Sequence, residues 1–464
     1  MSEQSPQRFG NMVRWWHIVL FLFLTTVLLT PIGIRTARLA GVPDIPHPFD
    51  VAAFGSVQIA PEENAFTLYS QLRGALSPMP RAAGDQYEAT IAEGWGAAGP
   101  ELRAWVEQNR GLLEMFRVAC ERPDAMYLQP SNQTLNTIFE EVHGLRELSR
   151  LAILEGARLE HEGDDQGAWD CYRMVLQCSR HVGRHGGRVE RQVGAALHRL
   201  ATDATLRWCQ SAALDPQALR TALQEVRAIY LTSIPDSETL KTEYLVCLQA
   251  LGDPELFQGP GGTATQQLMS RNPLTYILGE PELSLRVVKL YWTNIMSGCD
   301  LPRNLRPTAI DTYGLRDCTI ALPDGQTASP QEIAAWLRRT TTAAMLFPNC
   351  REAVNTTDRE VARQMLLKLA LSIQRYQREQ GTLPRSLSDL NADFSGSLPT
   401  DLFGSGEPLR FRVEEHPAEG ITLWSLGADE VDDEGRVEAQ LQFTPGPGDI
   451  IVKVRPLKHP ELDE

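Results

Sequence analysis

Apolar positions fall into three patterns along the chain, and each predicts a different kind of structure. The first is an unbroken run from Trp15 to Ile34 that contains no charged residue. A helix rises ~1.5 Å per residue, so about 20 residues cross a ~30 Å hydrocarbon core. Segment 15–34 therefore predicts a transmembrane helix, with Arg14 and Arg35 at its ends and Trp15 and Trp16 at the level of an aromatic belt. The second pattern is helical spacing, as in Leu102, Trp105, Val106, Leu112, Leu113 and Phe116, and again in Leu145, Leu148, Leu151, Leu154 and Leu159. It fills 62–251, with helices expected over Val189–Cys209, Pro216–Ile229 and Ser237–Leu248. The third pattern lies near the end. Val361, Met365, Leu369, Ile373 and Tyr376 make one helical stripe that stops at Gly381, with Pro384 beyond. Short strand-like runs follow at Leu409–Val413, Ile421–Trp424 and Ile450–Val454. Between the second and third patterns, Gly259-Pro260-Gly261-Gly262 and Leu301-Pro302-Arg303-Asn304 signal loops around one helix from Pro281 to Met296.

These patterns predict a mostly α protein. It has a single N-terminal transmembrane helix, an irregular, repeat-like α-helical array and a small C-terminal α+β module. The expected division is a cytoplasmic tail (1–14), the membrane helix (15–34), a stalk (35–61), the array (62–251), a partly helical region (252–350), the α+β module (356–456) and a tail (457–464). The stalk is expected to be extended because the prolines of Gly41-Val42-Pro43-Asp44-Ile45-Pro46-His47-Pro48 cannot sit inside a helix. A removable signal has a shorter apolar core, ~7–15 residues, followed by small residues. Here the candidate small residues Ala37 and Ala40 each have an arginine two positions earlier, so the helix reads as a retained anchor. Arg8 and Arg14 before the span balance Arg35 and Arg38 after it, so charge does not set the orientation. A short tail inside with the bulk outside the cytoplasm is the commoner arrangement and is the expectation here.

Composition adds two constraints. With 42% hydrophobic and 22% charged residues the chain is globular. A net charge of -15, from 59 acidic and 44 basic residues, argues against nucleic acid and anionic lipid head groups as partners. Eight cysteines outside the cytoplasm permit disulfides. Cys171 and Cys178 fall two helical turns apart, roughly 10 Å, and cannot bridge each other. Burial as small hydrophobes is the equal alternative for most of them.

Two stretches resemble known motifs. In Leu151–His181 a helix breaks at Gly163-Asp164-Asp165, and a second helix carries Ala168 and Tyr172 on one face. This resembles one tetratricopeptide helical hairpin. The small Ala168 lets the paired helices approach and Tyr172 fills the adjoining groove. Near the C-terminus, Ile373-Gln374-Arg375-Tyr376-Gln377-Arg378-Glu379-Gln380-Gly381-Thr382-Leu383-Pro384, Leu398-Pro399-Thr400-Asp401-Leu402-Phe403-Gly404 and Leu423-Trp424-Ser425-Leu426-Gly427-Ala428-Asp429 occur in order. This ordered set resembles the globular end of a type II secretion major pseudopilin, over about 100 residues. The processing site of that family is missing, and more than 300 residues separate the module from the membrane helix. A filament subunit is therefore not expected. The resemblance implies a calcium loop, with Asp429 and Asp449 matching the family aspartates and Asp432, Asp433 and Glu434 between them. Calcium takes six to eight oxygens from such a loop.

Other candidate chemistry is thin. Cys178, His181 and His185 could share a helix face as metal ligands, but Arg180, Arg184, Arg188 and Arg191 crowd them. Glu140 and His143 have the spacing of a di-metal bundle motif, yet no second copy exists. The nucleophile elbow, the phosphate-binding loop and the zinc-protease motif do not occur. The expected role is a membrane-anchored extracytoplasmic scaffold whose partner is another envelope protein, without a catalytic site. The alternatives are an extracytoplasmic hydrolase with a site between the array and the middle region, and an accessory component of a secretion or pilus-like system.

Overall fold

The computed structural model describes residues 7–252, 277–311, 313–340, 350–394, 396, 398–416, 419–436 and 448–457. The Gly259–Gly262 loop signal and nearly all of the 457–464 tail lie outside them. Helix α1 (Gln7–Ala40) runs past the predicted end at Ile34 and keeps Pro31 in its interior. Its stretch Trp15–Ala40 is long and apolar enough to cross a membrane, and none of that apolar window is buried in the protein.

Beyond the apolar window the chain is clamped. The Arg35 guanidinium lies 3.2 Å from Glu282 Oε2. Arg286 Nη1 donates to Leu39 O (3.0 Å) and Val42 O (3.2 Å), and Lys289 pairs with Asp44 at 2.9 Å. Val42 and Ile45 are buried in one core with Tyr244, Leu283 and Val287. The stretch expected to be an extended stalk is thus packed. Residues 43–47 are in neither helix nor strand, and Val42 and Ile45 supply apolar surface that holds them against the body.

The array contains α2 (Val51–Gly55), α3 (Phe66–Ala75), α4 (Arg81–Glu93), α5 (Pro100–Asn109), α6 (Leu113–Cys120), α7 (Glu140–Glu162), α8 (Asp165–His181), α9 (Arg188–Trp208), α10 (Pro216–Leu231) and α11 (Asp236–Gly252). The α7–α8 hairpin turns where the sequence pattern breaks. Gly163 takes φ +83°, a left-handed conformation that suits glycine, and Asp164 caps α8 by accepting from Gly167 N at 2.9 Å. Ala168 and Tyr172 are fully buried. Trp169 stacks on Trp208 with ring centroids 5.1 Å apart, which joins α8 to α9.

After α11 come α12 (Glu282–Met296), the hairpin β1 (Ile320–Ala321) and β2 (Thr327–Ala328), α13 (Pro330–Leu337) and α14 (Cys350–Gln380). Helix α14 organises the molecule because it is buried on more than one face. Leu367 and Leu371 belong to the core of the array, whereas Leu366, Leu369, Ala370 and Ile373 belong to the C-terminal core. A helix apolar around much of its circumference is an interior helix, so the shift in composition near residue 356 is not a gap in packing. Strands β3 (Arg410–Val413), β4 (Ile421–Ser425) and β5 (Ile450–Val454) form an antiparallel sheet in the order β3-β4-β5. Phe411 lies opposite Leu423, and Leu423 opposite Val452. Every residue of central β4 is buried, as its unbroken Ile-Thr-Leu-Trp run requires.

Candidate functional site

A cavity of about 370 Å³ opens where α11, α12, the loop after α12, α14 and the loop after β4 converge. Its apolar wall is Leu240 from α11 and Ile295 from α12, and Asn355 comes from α14. Arg303, Arg306 and Arg316 from the loop supply the cationic wall, and Asp429 and Glu430 complete the lining. Pockets of 300–1,000 Å³ with a few fixed polar groups are of a size that holds a small ligand or a single side chain of a partner.

Two of these arginines are held in an ion network that joins three parts of the chain. Arg303 donates to Asn355 Oδ1 and Asp358 Oδ2, both at 3.0 Å, and pairs with Glu430 at 2.8 Å. It also lies over the Phe403 ring, 4.7 Å from the centroid. Arg306 pairs with Asp358 at 2.8 Å and with Asp236 at 3.5 Å. Behind Asp358 on the same helix, buried Glu360 receives Arg191 at 2.5 Å and also Arg180. Burial pushes the Asp236 carboxyl up to about 6 despite the opposing pull of Arg306. Burial likewise pulls the Arg180 guanidinium down to about 9, with Arg191 acting in the same direction.

Arg316 stands apart from that network. It is 7% exposed, and its Nε donates to Ile295 O at 2.8 Å and its Nη1 to Pro307 O at 3.3 Å. Asn294 fixes its backbone, accepting from Arg316 N at 2.7 Å and donating to Arg316 O at 3.1 Å. Among the described residues no carboxylate lies within ion-pair distance of its guanidinium. Burial lowers its pKa, countered in part by the neighbouring Cys299 thiol.

The candidates read from sequence are placed differently. Asp429 lines the cavity, but its carboxylate accepts from Val431 N (3.4 Å) and Gly448 N (2.9 Å). Asp432 accepts from Trp424 Nε1 (3.0 Å) and Glu434 N (2.9 Å) and meets Arg410 Nε at 3.3 Å. Asp449 is fully buried and accepts from Gly435 N at 2.8 Å. Asp433 O accepts from Arg436 N at 3.1 Å in the same turn. These aspartates build turns, and among the described residues no group of three or more His, Cys, Asp or Glu side chains converges to hold a metal ion. Residues 437–447 of that loop lie outside the described set.

Cys178, His181 and His185 do not converge either. His181 Nδ1 and Tyr69 Oη are 2.8 Å apart, and its Nε2 is 3.0 Å from Arg122 O. His185, beyond the end of α8, faces Asp124 at 3.1 Å. Glu140 pairs with Arg73 at 2.6 Å at the start of α7. Of the seven described cysteines six are buried, as small hydrophobes would be. The residues that sequence reasoning passed over are Arg303, Arg306 and Arg316. They fall in a stretch that reads only as loop, Leu301-Pro302-Arg303-Asn304 and onward, and nothing local marks which arginine is buried. Compared with known proteins, this chain matches no family profile, no curated protein and no solved structure.

Proposed function

We propose that the chain is a membrane-anchored, extracytoplasmic binding protein that holds another envelope protein on its soluble body. One observation carries the reading. The cavity where the array, the middle region and the C-terminal module meet is walled by locked arginines, which are recognition groups. Its remaining polar lining, Asn355, Thr308, Asp429 and Glu430, includes no histidine or cysteine among the described residues. The clamped end of α1 supports the same reading, because a body fixed on its anchor presents its binding face at a constant height and angle. The helical hairpin and the pseudopilin-like end are consistent with an interaction protein. A hydrolase would need histidine and carboxylate groups converging on the cavity, and His181 and His185 are taken up elsewhere.

The test is site-specific photo-crosslinking of the full chain in intact cells. A crosslinker at Thr308, on the cavity rim, should yield one discrete adduct, and one at Glu107 on exposed α5 should yield none. Equal adducts at both positions, or none at either, overturn the reading.

A further inference from the structure

We propose that the junction cavity binds a singly charged carboxylate, with the buried guanidinium of Arg316 as its counter-ion. The proposal rests on the binding reading above and names its ligand chemistry. A guanidinium has five N–H donors, and two of those on Arg316 are taken by carbonyl oxygens. Arg316 lines a cavity of about 370 Å³, and no carboxylate among the described residues lies within ion-pair distance of its remaining donors. A buried charge is normally paired, because desolvation without a partner is expensive. Arg303 and Arg306, which line the same cavity, follow that rule through Asp358, Glu430 and Asp236. Among the described residues Arg316 has no ion pair, only the more distant Asp236 carboxylate acting on it, so a ligand anion in the cavity would supply the direct partner.

The same walls limit the ligand's charge. Asp429 and Glu430 line the same cavity, Glu430 in an ion pair with Arg303, and Arg306 is paired with Asp358 and Asp236. Arg316 is thus the one lining arginine without an ion pair among the described residues, and a single anionic charge matches it. A phosphate, with its second charge, would meet added repulsion from the Asp429 and Glu430 carboxylates. Leu240 and Ile295 add an apolar wall suited to a short aliphatic body behind the carboxylate. The carboxylate can belong to a free small molecule or to the chain terminus of a partner protein, and the chemistry of recognition is the same.

The experiment measures thermal unfolding of the full chain in detergent micelles at fixed pH, titrated with propionate, N-acetyl-dialanine, the amide of N-acetyl-dialanine, and inorganic phosphate. One or both carboxylates should raise the midpoint in a saturable way, while the amide and phosphate should not. Propionate acting alone identifies a free small molecule as the source. The peptide acid acting alone identifies a chain terminus. Arg316→Gln should weaken the effective carboxylate at least tenfold, the low end for loss of a charge-assisted hydrogen bond. Should R316Q fail to fold, Ala309→Leu fills the cavity while leaving Arg316 in place, and it should abolish the response. Glu430→Gln should let phosphate raise the midpoint. The proposal is overturned if no carboxylate acts, if the amide or phosphate acts equally on the wild type, or if the response survives A309L. Crosslinks at Thr308 without a carboxylate response would sink this inference alone. A response without crosslinks would sink only the protein-partner reading.

Discussion

Gly156→Ala is a substitution in which two known effects oppose each other and the geometry decides between them. Gly156 lies inside α7, where alanine normally stabilises a helix by about 1 kcal/mol. A methyl placed there, however, would sit 2.7 Å from Tyr172 Cζ and 3.0 Å from Tyr172 Oη, with Cε1 nearer still. The ring cannot easily retreat. Tyr172 is fully buried, its hydroxyl donates to Glu160 Oε1 at 2.5 Å, and Arg207 Nη2 donates to that hydroxyl at 2.8 Å. Overpacking of this kind costs about 1–3 kcal/mol, and displacing the hydroxyl puts the Glu160–Arg207 pair (3.1 Å) out of register as well. Adding about 1–2 kcal/mol for that disturbed network and subtracting the helix gain, the net expectation is a loss of about 1–4 kcal/mol, with its midpoint at about 2.5 kcal/mol.

The assay is urea unfolding of the wild type, Gly156→Ala, Tyr172→Ala and the double variant. Tyr172→Ala is expected to cost about 3–5 kcal/mol by itself. If the clash is the cause, G156A should become neutral or stabilising once the ring is gone, with a coupling of at least about 2 kcal/mol. A G156A variant as stable as the wild type, or a loss that persists unchanged beside Y172A, would refute the close approach of α7 and α8 at this point.

Four further outcomes follow from other parts of the molecule. Glu360→Gln leaves Arg180 and Arg191 buried without their shared carboxylate, and it should cost about 3–5 kcal/mol in urea unfolding; a loss below 1 kcal/mol would mean the pair is solvated. Burial, reinforced by Arg184, lowers His181 to about 4, below its unfolded value of about 6.5. The unfolded chain therefore takes up a proton that the folded chain refuses. The associated stability is present above pH 6.5 and is lost as pH falls toward 4, by up to about 3 kcal/mol, and His181→Gln should remove that part of the pH dependence. Since Asp429 and Asp432 already accept N–H donors, calcium should leave the thermal midpoint of the full chain unchanged relative to chelator; a saturable rise would assign the loop as a calcium site. Arg286→Ala removes both donors to the Leu39 and Val42 carbonyls, and a spin label at Pro46 should then report faster motion; unchanged motion would show that apolar packing alone holds the clamp.

Much of the backbone was legible from periodicity, because periodicity is what burial on one side leaves in a sequence. The helix expected over Val189–Cys209 is Arg188–Trp208, and the strand expected over Ile450–Val454 has those bounds. The Gly163-Asp164 turn was legible for a different reason, since a left-handed glycine followed by a capping aspartate is local chemistry. Where burial is two-sided, one stripe hides the other. Leu369 and Ile373 fit the predicted stripe of α14, while Leu367 and Leu371 point to a second core that a single-face reading does not see. Val42 and Ile45 escaped notice because two apolar residues among prolines have no period at all.

The cavity was illegible for a stronger reason. Its walls come from residues 240, 295, 303, 306–309, 314, 316, 355 and 428–430, and only the tertiary fold sets these side by side. The polar half of α14 explains how such distant parts are held in register. Asn355, Asp358, Glu360 and Arg363 are all buried, in a helix half that burial alone would fill with leucine. Buried ion pairs of this kind add little net stability over well-packed apolar residues, since desolvation offsets the attraction. They do add direction. Asp358 accepts from Arg303 and Arg306, and Glu360 forms ion pairs with Arg180 and Arg191, so a rotation of α14 disturbs four ion pairs at once. A leucine-rich face would tolerate a small rotation at little cost. The polar half of α14 therefore fixes the angle of the helix on which the array, the arginine loop and the C-terminal sheet all depend. That fixed angle holds Asn355 against Arg303 in the lining of the cavity that Arg316 shares.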